Sequence, residues 1–258
     1  MGRVSDADRL MYECGLEVLH PGGRQKTDEM AQACRIGPQT RVLDIGGGRG
    51  TTACHLARQY GSTVVGIDVS RDMVEAARRQ VKEQNLEGLV SVQVADAHDL
   101  PFDSGSFDVI LIECVTTLLD RDRAFREFRR VLRAGGHLGD LEMTYQKEAP
   151  VEFARELNEA WGGFTTMPLQ GWQELFRDHG FEVIRVDDFS ERLGNMGRTM
   201  MKELGVAGVL KMTSKLLVNP GVASGMLTWD RLFKRGEGTL GYGFVVGRKT
   251  DGPFANGS

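Results

Sequence analysis

From Arg41 onward, apolar runs of strand length alternate with longer stretches whose apolar positions recur every three or four residues. The strand-like runs are RVLDI (41–45), TVVGID (63–68), VSVQVA (90–95), FDVILIE (107–113), GHLGDLEM (136–143), FEVIRVD (181–187) and YGFVVGRK (242–249). Between them, Thr51–Tyr60, Ser70–Gln84 and Asp122–Arg133 carry helical periodicity. Strand and helix in alternation indicate a parallel sheet covered on both faces. Val109, Ile110, Leu111 and Ile112 are apolar without a break, as a strand buried on both faces requires. In the third helix, Ala124, Phe125, Phe128, Val131 and Leu132 form one stripe. Its arginines are therefore a solvated face, and Asp120 and Asp122 are caps.

The pattern loosens on either side of this core. Residues 1–40 read as an N-terminal helical cover, with a helix over Thr27–Cys34 preceded by an irregular turn, His20–Gly23. After Glu142 come a helix around Glu152–Trp161, a Gly162-Gly163 break, and a second helix ending near His179. Residues 190–238 hold five of the chain's 11 methionines and read as a helical insertion before the last strand. Met and Leu there suit ordinary core packing. The interruptions at Gly194, Gly197, Gly205 and Gly208 also suit a mobile lid over an apolar ligand. Residues 41–250 are expected to form one α/β domain and 251–258 a frayed tail.

Composition narrows the function classes. The chain has 258 residues and a formal charge of −4, with 41% hydrophobic and 26% charged residues. That balance offers no bulk attraction to nucleic acid or an anionic membrane. No apolar run approaches the roughly 20 residues of a membrane-spanning helix, and MGRVSDADRL has no signal-peptide core. A cytoplasmic location is expected. Cys14, Cys34, Cys54 and Cys114 are scattered, as are the five histidines, so no metal site is expected.

The chemistry concentrates at strand ends. VLDIGGGRG (42–50) places Asp44 at the end of a buried strand, then a glycine turn, then a helix opening near Thr51. Gly46, Gly48 and Gly50 allow a ligand to approach the backbone, and the helix N-terminus behind them suits a carboxylate. A dinucleotide-binding G-x-G-x-x-G would need glycine at 51, where Thr51 stands. An acidic Asp44 would repel a pyrophosphate but could pair with an ammonium group. The pattern thus favours the amino-acid end of S-adenosylmethionine over a dinucleotide. Asp68 ends the next strand at a spacing suited to ribose hydroxyls. Asp96 ends the third, placed to accept from an adenine amino group, with Ala97 offering backbone contacts. Any one of these acids alone would be a solvated strand end. Three at successive carboxyl ends mark a ligand site.

VLDIGGGRG, GIDVS, DAHDLPF, SFDVILIE and LRAGGHL resemble, in order, the motifs of class I S-adenosylmethionine-dependent methyltransferases over residues 40–140. The resemblance implies a doubly wound, Rossmann-like α/β fold with a seven-stranded sheet whose last strand is antiparallel. It implies that Gly46, Gly48 and Gly50 hold the methionyl group, Asp68 with Val69 the ribose side, and Asp96 with Ala97 the adenine. Glu113 then lies near the transferred methyl. MYECG…HPGG is also similar to a segment of phosphoethanolamine methyltransferases, which implies a substrate-side Tyr12 and a cofactor-side turn at Gly22-Gly23. In the same way Asp140 matches an acid facing the substrate. Where that subgroup carries a histidine after the fourth strand, this chain reads LLDRD. The expected reaction is in-line methyl transfer to a small, partly apolar acceptor. Asp140, Glu113, Glu142 and Tyr12 are the candidate bases if the acceptor must lose a proton. A nucleic-acid methyltransferase and a non-catalytic cofactor-binding protein are the alternatives.

Overall fold

The computed structural model describes residues 10, 11, 14–16, 20 and 22–251. Tyr12, most of the N-terminal segment and the 252–258 tail lie outside these residues.

Seven strands form one sheet: β1 (Arg41–Ile45), β2 (Thr63–Asp68), β3 (Val90–Val94), β4 (Phe107–Glu113), β5 (Leu132–Tyr145), β6 (Phe181–Asp188) and β7 (Leu240–Lys249). Their spatial order is β3-β2-β1-β4-β5-β7-β6. The pairs β1–β2, β2–β3, β1–β4 and β4–β5 are parallel, and β7, the last strand, is antiparallel. The chain winds from β1 outward through β2 to β3, then returns to the other side of β1 with β4. That reversal opens a crevice at the carboxyl ends of β1 and β4, where sheets of this kind bind ligands. The doubly wound seven-stranded fold expected from the motifs is the fold observed.

The first helices are α1 (Gly23–Ala33), α2 (Thr51–Tyr60), α3 (Arg71–Glu83) and α4 (Arg121–Val131). Ser70 caps α3 by accepting the Met73 amide, and Val74, Ala77 and Val81 form its buried stripe. Asp120 caps α4 by accepting the Arg123 amide, and Phe125 packs against Phe128, Phe176 and Phe181. The arginine-rich helix therefore buries the face its periodicity assigned. Later come α5 (Val151–Trp161), α6 (Leu169–Asp178), α7 (Met196–Val218) and α8 (Pro220–Arg235). Of the glycines in the 190–238 segment, Gly205 breaks the helical path, with φ 60° and ψ −178°.

Two boundaries differ instructively from the periodicity. β5 starts at Leu132, not at residue 136, because Leu132 pairs with Phe107 before the ladder jumps to Val109↔His137. The intervening RAGG looks like a turn in sequence and is a bulge in the strand, with Gly135 at φ 68°. α1 starts at Gly23, so the His20–Gly23 turn leads directly into the helix.

Two compact units can be distinguished. The first comprises Gln25–Glu142, Gln170–Asp187 and Gly243–Ser258, and holds most of the sheet. The second comprises Met1–Arg24, Met143–Leu169 and Asp188–Tyr242. Within the second, Leu10, Met11, Cys14, Leu16 and Leu204 form a small buried cluster that Met212, Met226 and Trp229 partly cover. Some of the methionines thus serve as packing, as their chemistry allows. No described helix is long and apolar enough to cross a membrane.

Candidate functional site

The glycine loop follows β1 at the crevice. Gly46, Gly48 and Gly50 have φ of 67°, 52° and 78°, the left-handed region open to glycine. The loop is pinned by its own amides: Gly47 N donates to Ile67 O at 2.9 Å and Gly50 N to Gly47 O at 2.8 Å. The sequence places the three alternating glycines on an equal footing; the structure separates them. A Cβ at Gly46 would lie 2.4 Å from Val115 Cγ2, and one at Gly50 would lie 3.0 Å from Ala77 Cβ. A Cβ at Gly48 would find nothing nearer than Gly46 O at 4.0 Å. Gly46 and Gly50 are closed in by protein. Gly48 faces open space.

Asp44 lies beneath this loop and is buried. A Cβ at Gly47 would come within 2.8 Å of its Oδ2, so that glycine is needed for the loop to fold over the carboxylate. Oδ2 itself has no hydrogen-bond partner among the described residues. Burial, then the negative charges of Glu113 and Asp68, push the Asp44 carboxyl up to about 8, with the Ala53 amide acting the other way. A buried carboxylate oxygen lacking a partner is costly unless something completes it.

Asp68 accepts Gly48 N at 3.1 Å through Oδ2 and Ser70 N at 2.8 Å through Oδ1. It thereby ties the glycine loop to the end of β2, and each oxygen keeps a lone pair. Val69 beside it is an exposed apolar side chain and Ala97 is buried. Asp96 Oδ1 accepts from His98 N at 2.9 Å and meets His98 Nδ1 at 2.7 Å. The His98 amide in particular holds the Asp96 carboxyl below its usual range. His98 Nε2 accepts the Asp120 amide at 3.0 Å, which places the ring proton on Nδ1. His98 thus braces Asp96 against the start of α4, a role that nothing in the sequence marks.

Glu113 ends β4 with both oxygens engaged. Oε1 accepts Thr27 Oγ1 and Oε2 accepts Thr52 Oγ1, each at 2.7 Å, so the carboxylate links α1 and α2 to the sheet. Asp140 and Glu142, two apart on β5, share a face and are buried. Burial raises both carboxyls, and for Asp140 the charge of Glu142 adds to the effect. Neither Asp140 oxygen completes a hydrogen bond of normal geometry among the described residues. Glu142 Oε1 accepts Thr116 N at 2.6 Å and Thr117 N at 3.4 Å. Arg121, whose guanidinium lies 4.8 Å over the Trp172 ring, supplies the positive charge that faces both acids. Arg121 and Val115 were not legible as site residues, because each matters only through its neighbours.

Among the described residues no group of three or more His, Cys, Asp or Glu side chains is arranged to hold a metal ion. The crevice instead combines an open backbone position, a buried acid with one oxygen unpartnered among the described residues, and a line of strand-end carboxylates.

Comparison with known proteins finds methyltransferases. Residues 43–139 match the family model described as "Methyltransferase domain". The chain is 30% identical to Methyltransferase GfsG of Streptomyces halstedii, over 90% of this chain and 81% of that protein. It is 29% identical to a sarcosine/dimethylglycine N-methyltransferase of Halorhodospira halochloris, over 75% and 70% of the two chains. A solved structure of Haemonchus contortus phosphoethanolamine N-methyltransferase 2 with S-adenosyl-L-methionine superposes with a TM-score of 0.76. It covers 96% of this chain and 57% of that one, and at 21% identity speaks for the fold alone.

Proposed function

The chain belongs to the class I S-adenosylmethionine-dependent methyltransferases and transfers methyl groups to a small-molecule acceptor, and from that premise we propose how its residues divide the work. Asp44 receives the ammonium of the methionyl group, the amides around Gly46, Gly48 and Gly50 line its path, Asp68 with Val69 takes the ribose side, and Asp96 with Ala97 takes the adenine. The observation that carries this reading is Asp44 Oδ2, buried and unpartnered beneath a loop whose one open position is Gly48. An ammonium and a compact backbone-hugging chain fit that pair of features. A pyrophosphate does not.

When bound, S-adenosylmethionine supplies an electrophilic methyl group for in-line displacement. The protein's contribution is proximity, orientation and exclusion of water. Glu113, engaged on both oxygens, holds α1 and α2 in register with β4. Asp140 is the acid with free acceptor capacity and is the proposed proton acceptor where the acceptor molecule must lose a proton; Tyr12 is proposed to contribute on the acceptor side. The acceptor is proposed to be partly apolar and not a nucleic acid, given the net charge of −4.

The direct test is calorimetry with S-adenosylmethionine and S-adenosylhomocysteine. Wild-type protein is expected to bind both at about micromolar level and to gain thermal stability from each. Asp68→Ala should weaken both by about tenfold, because the loop loses its tie and the ribose its acceptor. No binding of either ligand to folded wild-type protein would end the proposal.

We also propose that residues 190–238 act as the acceptor-side lid. Val206, Leu210, Leu217 and Leu227 are exposed apolar side chains there, and the Gly205 break gives the segment a joint. Hydrogen exchange in 190–238 is expected to slow on adding S-adenosylhomocysteine, while β1 and β4 remain protected throughout. Exchange that is equally slow without ligand would assign the segment to fixed packing.

A further inference from the structure

The turn that follows β4 joins the glycine loop to β5 through contacts that the proposed mechanism does not use. Cys114 leaves β4 at φ 59°, in the left-handed region that few residues with a Cβ adopt. Its amide donates to Leu141 O at 2.8 Å, which fixes where the turn begins. Val115 follows at φ −122° and ψ −38°, and Thr116–Leu118 make a single helical turn. The amides that open such a turn have no partner within it. Here both are taken by one side chain on the neighbouring strand: Glu142 Oε1 accepts Thr116 N at 2.6 Å and Thr117 N at 3.4 Å.

The other side of the turn meets the cofactor loop. Val115 stands so close to Gly46 that a Cβ there would lie 2.4 Å from Cγ2 and 3.1 Å from Cγ1. A continuous path of contact therefore runs from the Glu142 carboxylate to the Thr116 and Thr117 amides, to Val115, to Gly46. Leu138 and Leu141 show that β5 fills its surroundings with apolar side chains where packing is all that is needed. An acid at 142 is a costly group to bury, and the two amides it reaches give the reason for it.

We propose that Glu142 is a positioning residue for the methionyl half of the cofactor, holding the turn after β4 so that Val115 seats against Gly46 and fixes the glycine loop in its binding form. The inference rests on the reading that this loop holds the methionyl group. Asp140 and Arg121 are the charged groups facing Glu142 and set its electrostatic surroundings.

The test compares two ligands, S-adenosylhomocysteine and 5′-methylthioadenosine, which share the adenosine half and differ in the amino-acid half. Calorimetry on Glu142→Ala and Val115→Ala should show S-adenosylhomocysteine weakened by about tenfold, with 5′-methylthioadenosine within about twofold of wild type. Glu142→Gln should restore most of the affinity, because its amide oxygen can accept the same two N–H groups. The double alanine variant should be no worse than the worse single, as expected of two residues on one path. Equal losses for both ligands, an unchanged ratio, or additive losses would overturn the inference. Should Glu142→Ala fail to fold, Val115→Ala decides, since it leaves β5 intact. Gly48→Val separates the two readings. If wild type prefers S-adenosylhomocysteine and only Gly48→Val loses that preference, the loop binds the methionyl group and Glu142 does not position it. If wild type shows no preference, the methionyl reading itself fails, and this inference with it.

Discussion

Gly48→Val is expected to weaken S-adenosylmethionine and S-adenosylhomocysteine by more than about 100-fold, roughly 2.7 kcal/mol, in a protein that still folds. The new Cβ would find nothing nearer than Gly46 O at 4.0 Å, so the backbone around it need not move to admit it. It carries the strain of a β-branched residue at φ 52°, on the order of 1–2 kcal/mol. A domain with about 5–15 kcal/mol of stability tolerates that. What it fills is the space above the loop, where the methionyl group is proposed to run. The same substitution at Gly46 would strike Val115 and damage the loop itself, so it could not separate fold from function. Thermal melts followed by calorimetry check both halves of the expectation. A folded Gly48→Val protein with normal affinity would place the ligand elsewhere.

The second large effect is a pH dependence of cofactor affinity governed by Asp44. In the ligand-free protein its carboxyl is raised from 3.8 to about 8, chiefly by burial. A raised acid stabilises the folded state below its unfolded value, and that contribution is lost as pH rises through about 8. An ammonium group brought to Oδ2 reverses the balance by favouring the ionised form. Binding below about pH 8 must therefore release a proton. Affinity for S-adenosylhomocysteine should tighten between pH 6 and 8 by up to about tenfold per unit, and then level off. Calorimetry at pH 7 in buffers of different ionisation enthalpy should register close to one proton released. Asp44→Asn should bind weakly and without this slope. A wild-type profile as flat as that of the variant would mean that Asp44 stays protonated in the complex and pairs with no ammonium.

The catalytic core was legible because its signals are local. Unbroken apolar runs such as 109–112 and period-3.6 stripes such as Ala124, Phe125, Phe128 and Val131 depend only on which faces must leave water. The strand-end acids could be read in order along the chain because a parallel sheet brings every carboxyl end to one edge. The bulge in β5 was not legible, since Ala134, Gly135 and Gly136 have the composition of a turn and become strand only because Phe107 pairs with Leu132.

By itself the sequence determined the alternating α/β order, the glycine loop and the acids at 44, 68 and 96, because backbone conformation and periodic burial are encoded residue by residue. Only the tertiary structure decided that Gly48 alone of the alternating glycines faces open space, that Glu113 is held by Thr27 and Thr52, and that Glu142 caps a turn whose Val115 closes on Gly46. The physical reason is sequence distance: these contacts join residues 25 to 86 positions apart. Whether an oxygen or a Cβ has a neighbour there depends on the packing of strands and helices that no local pattern specifies.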